Sequence, residues 1–118
     1  MKFLCLGYLN MAAFEEVPDT DRAEFMKACY EQCTKLRATG KIVEAAGLHH
    51  TSRAKTIRPR RGKSSVTDGP FIETKEQIGG FFIVEAENME EAVKIASLHP
   101  SATCGEEYGF GIEVRPIK

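Results

Sequence analysis

The residues best able to do chemistry gather in Asp68-Gly69-Pro70-Phe71, followed by Glu73, Lys75, Glu76 and the pair Gly79-Gly80. An Asp ahead of Gly-Pro has two uses. Its carboxylate starts a turn by accepting backbone amides ahead of it, while Gly takes unusual torsions and Pro fixes its own. Phe71 is then a core anchor. Alternatively, Asp68 is a pocket carboxylate at the mouth of a sheet, serving as acid, base or ligand acceptor. Phe71 then becomes a pocket wall, and Lys75 neutralises an anionic ligand. Ion pairs among Glu73, Lys75 and Glu76 that merely pin the connection contribute little if they are exposed.

His99 stands directly before Pro100. As a general base it needs an unprotonated ring nitrogen within hydrogen-bond reach of a substrate proton. Near a helix C-terminus it can instead serve as a cap whose charge the helix dipole favours. Asp68 is its candidate acidic or orienting partner. Tyr8 and Tyr108 can present phenols to a cleft, although packing is the default use of an aromatic ring. The pair His49-His50 follows a strand and is read as a solvent-facing loop. Cys5, Cys29, Cys33 and Cys104 form no C-x-x-C pair, and no histidine stands at a zinc-ligand spacing from them. The expectation is no metal, no organic cofactor, and thiols packed as small core residues in a reducing cytoplasm.

Arg53, Lys55, Arg58, Arg60, Arg61 and Lys63 form a basic cluster with no acidic residue between them. Phosphate or nucleic-acid contact is one use for it. No aromatic residue interleaves with these charges, so single-strand stacking lacks a platform. Lys and Arg also suit a solvated strand edge that blocks aggregation. The formal net charge of −1 gives no global drive toward nucleic acid or anionic membrane. No apolar run approaches the roughly 20 residues that span a bilayer. The apolar start, Lys2 to Leu9, is short and ends at Asn10, so a buried strand is expected rather than a signal peptide.

The elements that must position these residues follow from periodicity. Residues 2–9 read as a central strand, and 10–18 as a loop. Asp19-Thr20-Asp21 offers the start of a helix whose apolar positions are Phe25, Met26, Cys29, Cys33 and Leu36, with Gly40 as its left-handed stop. A strand runs from Ile42 toward Gly47. Ala54–Arg58 and Ser64–Thr67 flank a hairpin turn at Pro59-Arg60-Arg61-Gly62. Gly80–Val84 is a buried strand, and Asn88 caps a helix with Met89, Ala92, Val93 and Ala96 on its apolar face. Ile112–Arg115 closes the chain. At 118 residues, 42% apolar and 28% charged, this is one domain, 1–118, long enough to bury a core unaided. The order is the ferredoxin-like βαββαβ of an α+β protein with an added β-hairpin: two helices layered on an antiparallel sheet. Its uncovered sheet face suits a homodimer, because a twofold interface needs one self-complementary surface.

Val66-Thr67-Asp68-Gly69-Pro70-Phe71, with Glu73 to Glu76 and Gly79-Gly80, closely resembles the signature of the YCII-related proteins that carry a DGPF motif. The resemblance extends through the second helix to Gly111–Ile117, and more weakly covers Gly40 to Leu48. It implies a dimeric α/β barrel, a superfamily that includes small isomerases and lyases of cyclic or phenolic compounds. Some such proteins are encoded beside alternative sigma factors. Relatives with a proposed active site carry a His on the first helix and an Asp before a Pro after the second. Here the first helix has no His, Cys29 lies in that region, and His99 takes the pre-proline place, so that pair is not carried over. The leading expectation is a cofactor-free isomerase or lyase using proton transfer on an unknown small molecule, with Asp68 and His99 catalytic and Phe71, Lys75 and Tyr8 binding ligand. The alternative is a non-catalytic ligand- or partner-binding accessory protein linked to sigma-factor regulation.

Overall fold

Strand β1 (Lys2–Asn10) is the spine of the sheet. The computed structural model describes residues 1–118. β1 pairs antiparallel on one side with β5 (Glu76–Glu85) and on the other with β6 (Gly111–Pro116). The edge strand β2 (Ile42–Gly47) pairs with β5, giving the order β2-β5-β1-β6. This is the ferredoxin-like arrangement. Side chains alternate across a strand, so Phe3 and Cys5 point to one face with their cross-strand partners Val84, Phe82 and Val114. Against that face pack Leu36 near the end of α2 (Asp19–Ala38) and Ala92, Ile95 and Ala96 of α3 (Met89–Ala96). Burying a Val- or Phe-sized side chain stabilises by about 1.5–3 kcal/mol. On the opposite face Leu4, Leu6 and Tyr8 of β1 line up with Ile83, Phe81 and Ile78 of β5, all half-buried.

Asn88 caps α3 as its sequence indicates, its Oδ1 accepting from Glu91 N at 2.9 Å. Gly40 is left-handed with φ 67° at the end of α2. Other expectations change. Residues 10–18 contain a short helix, α1 (Met11–Glu15), whose cap is Asn10 Oδ1 accepting from Ala13 N. Asp19 is not the cap of α2; Pro18 holds that place without a side-chain bond, and Asp19 pairs with Arg22 instead. Of the five apolar positions expected to bury α2, only Leu36 is buried, and Met26 is 53% exposed. Twenty residues extend ~30 Å, and α2 meets the core at its C-terminal end. Its start is held instead by an aromatic group of Phe14, Phe25, Tyr108 and Phe110, with ring centroids 5.4 to 6.2 Å apart.

The hairpin is longer and tighter than its turn residues suggest. β3 (Lys55–Arg60) and β4 (Lys63–Asp68) pair with each other and with no other strand. The two-residue turn Arg61-Gly62 takes φ of 52° and 78°, the left-handed pair that matches strand twist. Pro59 stays in the strand because a two-stranded ribbon has free edges, where a missing N–H is tolerated.

β5 begins at Glu76, four residues before the expected start at Gly80, so the end of the charged motif is strand. The register slips by one residue opposite Gly7 and Tyr8, leaving Gly79 as a bulge. A Cβ on Gly79 would sit 2.4 Å from Leu9 Cδ2, and one on Gly80 would sit 3.1 Å from the Ala46 carbonyl oxygen. The glycine pair therefore permits close approach of both neighbouring strands. Leu48 N donates to the Gly79 carbonyl at 2.9 Å, which fixes where the chain leaves β2.

Candidate functional site

The motif Asp68–Phe71 folds into a strap clamped from three directions. Gly69, with φ 95°, donates its N–H to Ala54 O and accepts from Thr56 Oγ1, each at 2.8 Å. Arg58 Nη2 donates to the Phe71 carbonyl at 2.6 Å, and its guanidinium lies 4.3 Å from the Phe71 ring centroid. Gln77 Nε2 donates to the carbonyls of Ile72 and Thr74, both at 3.0 Å. Thr74 Oγ1 donates to the Glu76 carbonyl at 2.6 Å. The turn chemistry of Asp-Gly-Pro thus carries an anchored backbone, with Phe71 itself 63% exposed rather than set in the core.

Beneath this strap is a cleft of about 660 Å3. Four segments build it: Tyr8 from the open face of β1, the connection Leu48–Ala54, the strap residues Pro70 to Thr74, and Glu76–Ile78 at the start of β5. Phe71, Ile72, Leu48 and Ile78 supply apolar walls. Tyr8, His49, His50, Arg53 and Glu76 supply polar groups. The volume and the mix of apolar wall with few polar groups are those of a small-molecule site.

His50 is committed within the chain. Its Nδ1 accepts from Ser52 N at 3.0 Å, capping the turn Thr51–Arg53, and its Nε2 lies 3.1 Å from Glu15 Oε1. A ring nitrogen that accepts an amide cannot carry a proton, so the network assigns the Nε2–H tautomer donating to Glu15. His49 makes no side-chain hydrogen bond within the chain, and its ring is available to the cleft. Arg53 forms no ion pair, so its guanidinium is likewise uncommitted.

Of the residues singled out from sequence, Tyr8 and Phe71 line the cleft and Asp68, Lys75 and His99 do not. Asp68 pairs with Lys55 at 2.6 Å on the exposed hairpin, its side chain 87% exposed. His99 stacks on Phe82, with ring centroids 5.1 Å apart and planes 14° from parallel. Phe82 faces the helices, whereas Tyr8 faces away from them, so His99 and the cleft lie on opposite sides of the sheet. Burial lowers the His99 pKa, and its Nδ1 accepts from Ser101 N at 3.0 Å. That bond leaves Nε2 protonated in the neutral ring, a donor rather than a base. Asp68 and His99 are not brought together within the chain.

The cleft instead draws on the His49-His50 pair read as solvent-facing, and on Arg53 from the basic cluster. The one local signal for them was two histidines just past the end of β2, ahead of the hairpin that leads into the motif. No group of three or more His, Cys, Asp or Glu residues is arranged to hold a metal ion. No helix is long and apolar enough to cross a membrane.

A four-stranded antiparallel sheet carrying two main helices on one face, with a hairpin inserted between its second and third strands, defines a ferredoxin-like α+β domain. The chain belongs to the YCII-related domain family, whose model matches residues 1–118. It is 42% identical over 62 residues to an uncharacterized protein of Rhizobium meliloti (strain 1021). That match covers 52% of this chain and spans about half the length of the curated relative, 50%. Among solved structures it is similar to 5-chloro-2-hydroxyhydroquinone dehydrochlorinase (TftG) from Burkholderia phenoliruptrix AC1100, in complex with 2,5-dihydroxybenzoquinone. The TM-score is 0.50 at 20% identity, covering 100% of this chain and 94% of the other, a likeness of fold.

Proposed function

We propose that this YCII-related protein is a lyase- or isomerase-type enzyme acting on a small cyclic or phenolic compound by proton transfer, without metal or organic cofactor. The single observation that carries this reading is the convergence of Tyr8, His49, Arg53 and Glu76 on one apolar-walled cleft. His49 is the general base, because its ring has no partner inside the chain. Arg53 stabilises the oxyanion that forms when a ring hydroxyl or adjacent carbon loses its proton. Tyr8 and Phe71 hold the ring. In a lyase step His49 takes the proton, the freed electron pair becomes a new double bond, and the leaving group departs with its own pair. In an isomerase step the proton returns at another carbon. Similarity of fold to a dehydrochlorinase that binds a dihydroxybenzoquinone supports the substrate class, and names no substrate.

The working unit in this reading is a homodimer. Leu4, Leu6, Phe81 and Ile83 form an apolar row on the open face of the sheet, continuous with Tyr8 in the cleft. A second copy packed face to face covers that row and the open side of the cleft. Four free cysteines accord with a reducing cytoplasm.

The test uses 2,5-dihydroxybenzoquinone as a binding probe and chlorinated hydroxyhydroquinones as substrates. Wild type is expected to bind and turn over a member of this class. His49→Ala should lose turnover and keep binding, and Arg53→Ala should lose both. Binding without turnover in wild type would identify a ligand-binding accessory protein instead. Equal activity in all three proteins would move the site away from this cleft.

A further inference from the structure

The β3–β4 hairpin stands apart from the sheet. A lone two-stranded ribbon is marginal in water and needs a third strand or a packed face to be stable. One face is partly covered: Thr56 is buried under the strap and Arg58 reaches Phe71. The other face is bare. Ile57 and Val66 are direct cross-strand partners on it, 66% and 58% exposed.

The whole chain shows the same deficit. Only 12 of 118 residues are buried. The surface is 8367 Å2, ~2000 Å2 above the ~6400 Å2 expected for a compact monomer of this mass. The radius of gyration is 15.9 Å against ~13.5 Å for a compact domain of this length. An excess of that size exceeds the ~800 Å2 each partner contributes to a standard interface. Charge identifies the partner. Residues 53–63 carry six cations and no acid, so with a net charge of −1 the remainder carries −7. Glu15 and Asp19 are paired with His50 and Arg22, while Glu16, Asp21 and Glu24 leave unpaired acids exposed from the end of α1 through the first turns of α2. In an arm-to-body pairing the basic arm of one copy can meet the acidic patch of the other.

We infer that the β3–β4 hairpin is an arm that docks on a second copy of this chain, packing the Ile57–Val66 stripe on it and bringing Arg61 at the basic tip against its acidic surface. The inference rests on the homodimer reading above and deepens it. Arg58 joins the arm to the Phe71 wall, so arm docking also steadies the cleft.

Sedimentation of the full chain over a wide concentration range tests it, with Ile57→Thr/Val66→Thr as the variant. Threonine keeps the β-branched preference for strand, and amide exchange checks that the hairpin persists. The double variant is expected to raise the dimer dissociation constant about tenfold or more. A photo-crosslinking residue at Ser64, on the same hairpin face, gives a second readout in an otherwise wild-type arm. Cross-links between chains are expected. A wild-type dimer matched by the variant, or cross-links confined to one chain, overturns the arm and leaves the homodimer standing. A wild-type monomer at every concentration overturns both.

Discussion

Arg58 holds Phe71 twice, through a 2.6 Å hydrogen bond to its carbonyl and through a guanidinium 4.3 Å from its ring centroid. A hairpin residue thereby sets the wall of a cleft built by other segments. Arg58→Ala is expected to loosen that wall at a cost of ~1–2 kcal/mol in probe affinity, a part of the ~2–4 kcal/mol that a charge-assisted bond plus an exposed cation–π contact sum to, since Arg58 reaches the probe only through Phe71. Arg58→Lys should recover only part of it, because a lysine lacks the planar fork. Calorimetric titration with 2,5-dihydroxybenzoquinone reads the difference, and unchanged affinity in both variants would argue that Phe71 needs no such support.

Gly79 occupies the bulge where β5 passes β1. Gly79→Ala drives a methyl to within 2.4 Å of Leu9 Cδ2. Leu9 must change rotamer or the bulge must shift, for a destabilisation of ~1–3 kcal/mol. Urea unfolding measures it. Gly79→Ala paired with Leu9→Ala should recover part of the loss, and a single-variant midpoint equal to wild type would show that the close approach is relieved at no cost.

His99 makes stability depend on pH. Burial holds its folded pKa below the ordinary value, so between the two values the unfolded chain binds more protons than the folded one. Stability is complete above the unfolded value of about 6.5 and falls as pH drops from there through the folded pKa. His99→Gln removes that titration. Denaturant midpoints between neutral and mildly acid pH should decline more steeply for wild type than for the variant, and parallel curves would dismiss the effect.

The Cys29 thiol, half-buried, is pushed up to about 11, first by that partial burial and then by Cys104 and Cys33 nearby; full burial alone takes Cys5 to about 11. The thiolate is the reactive form. Relative to an ordinary thiol at 9.0, each should be alkylated about a hundredfold more slowly near neutral pH, before any loss of access. Iodoacetamide labelling followed by peptide mass spectrometry, native against unfolded, reads the ratio. Rates equal to those of the unfolded chain would contradict it.

Much of the fold is written locally. The apolar run of β1, the Asn88 cap, the stop at Gly40 and the βαββαβ order with its extra hairpin rest on torsions and periods that a short stretch of chain sets for itself. The motif likewise pointed to the family, and its glycines serve backbone geometry, Gly69 at positive φ and Gly79-Gly80 where neighbouring strands approach closely. The site was less legible. Tyr8, His49, Arg53 and Glu76 are polar residues from separate segments, and none carries a local sign of the others. They meet because β2 leaves the sheet at Leu48, tied to the bulge at Gly79, and because the strap folds back over the same face. Asp68 and His99 part for the complementary reason. Asp68 belongs to a hairpin that leaves the sheet, and His99 stacks on Phe82, one side chain out of phase with the face that Tyr8 shares. In a strand a single position changes which side of the sheet a group serves, and that parity is settled only when the strands pair.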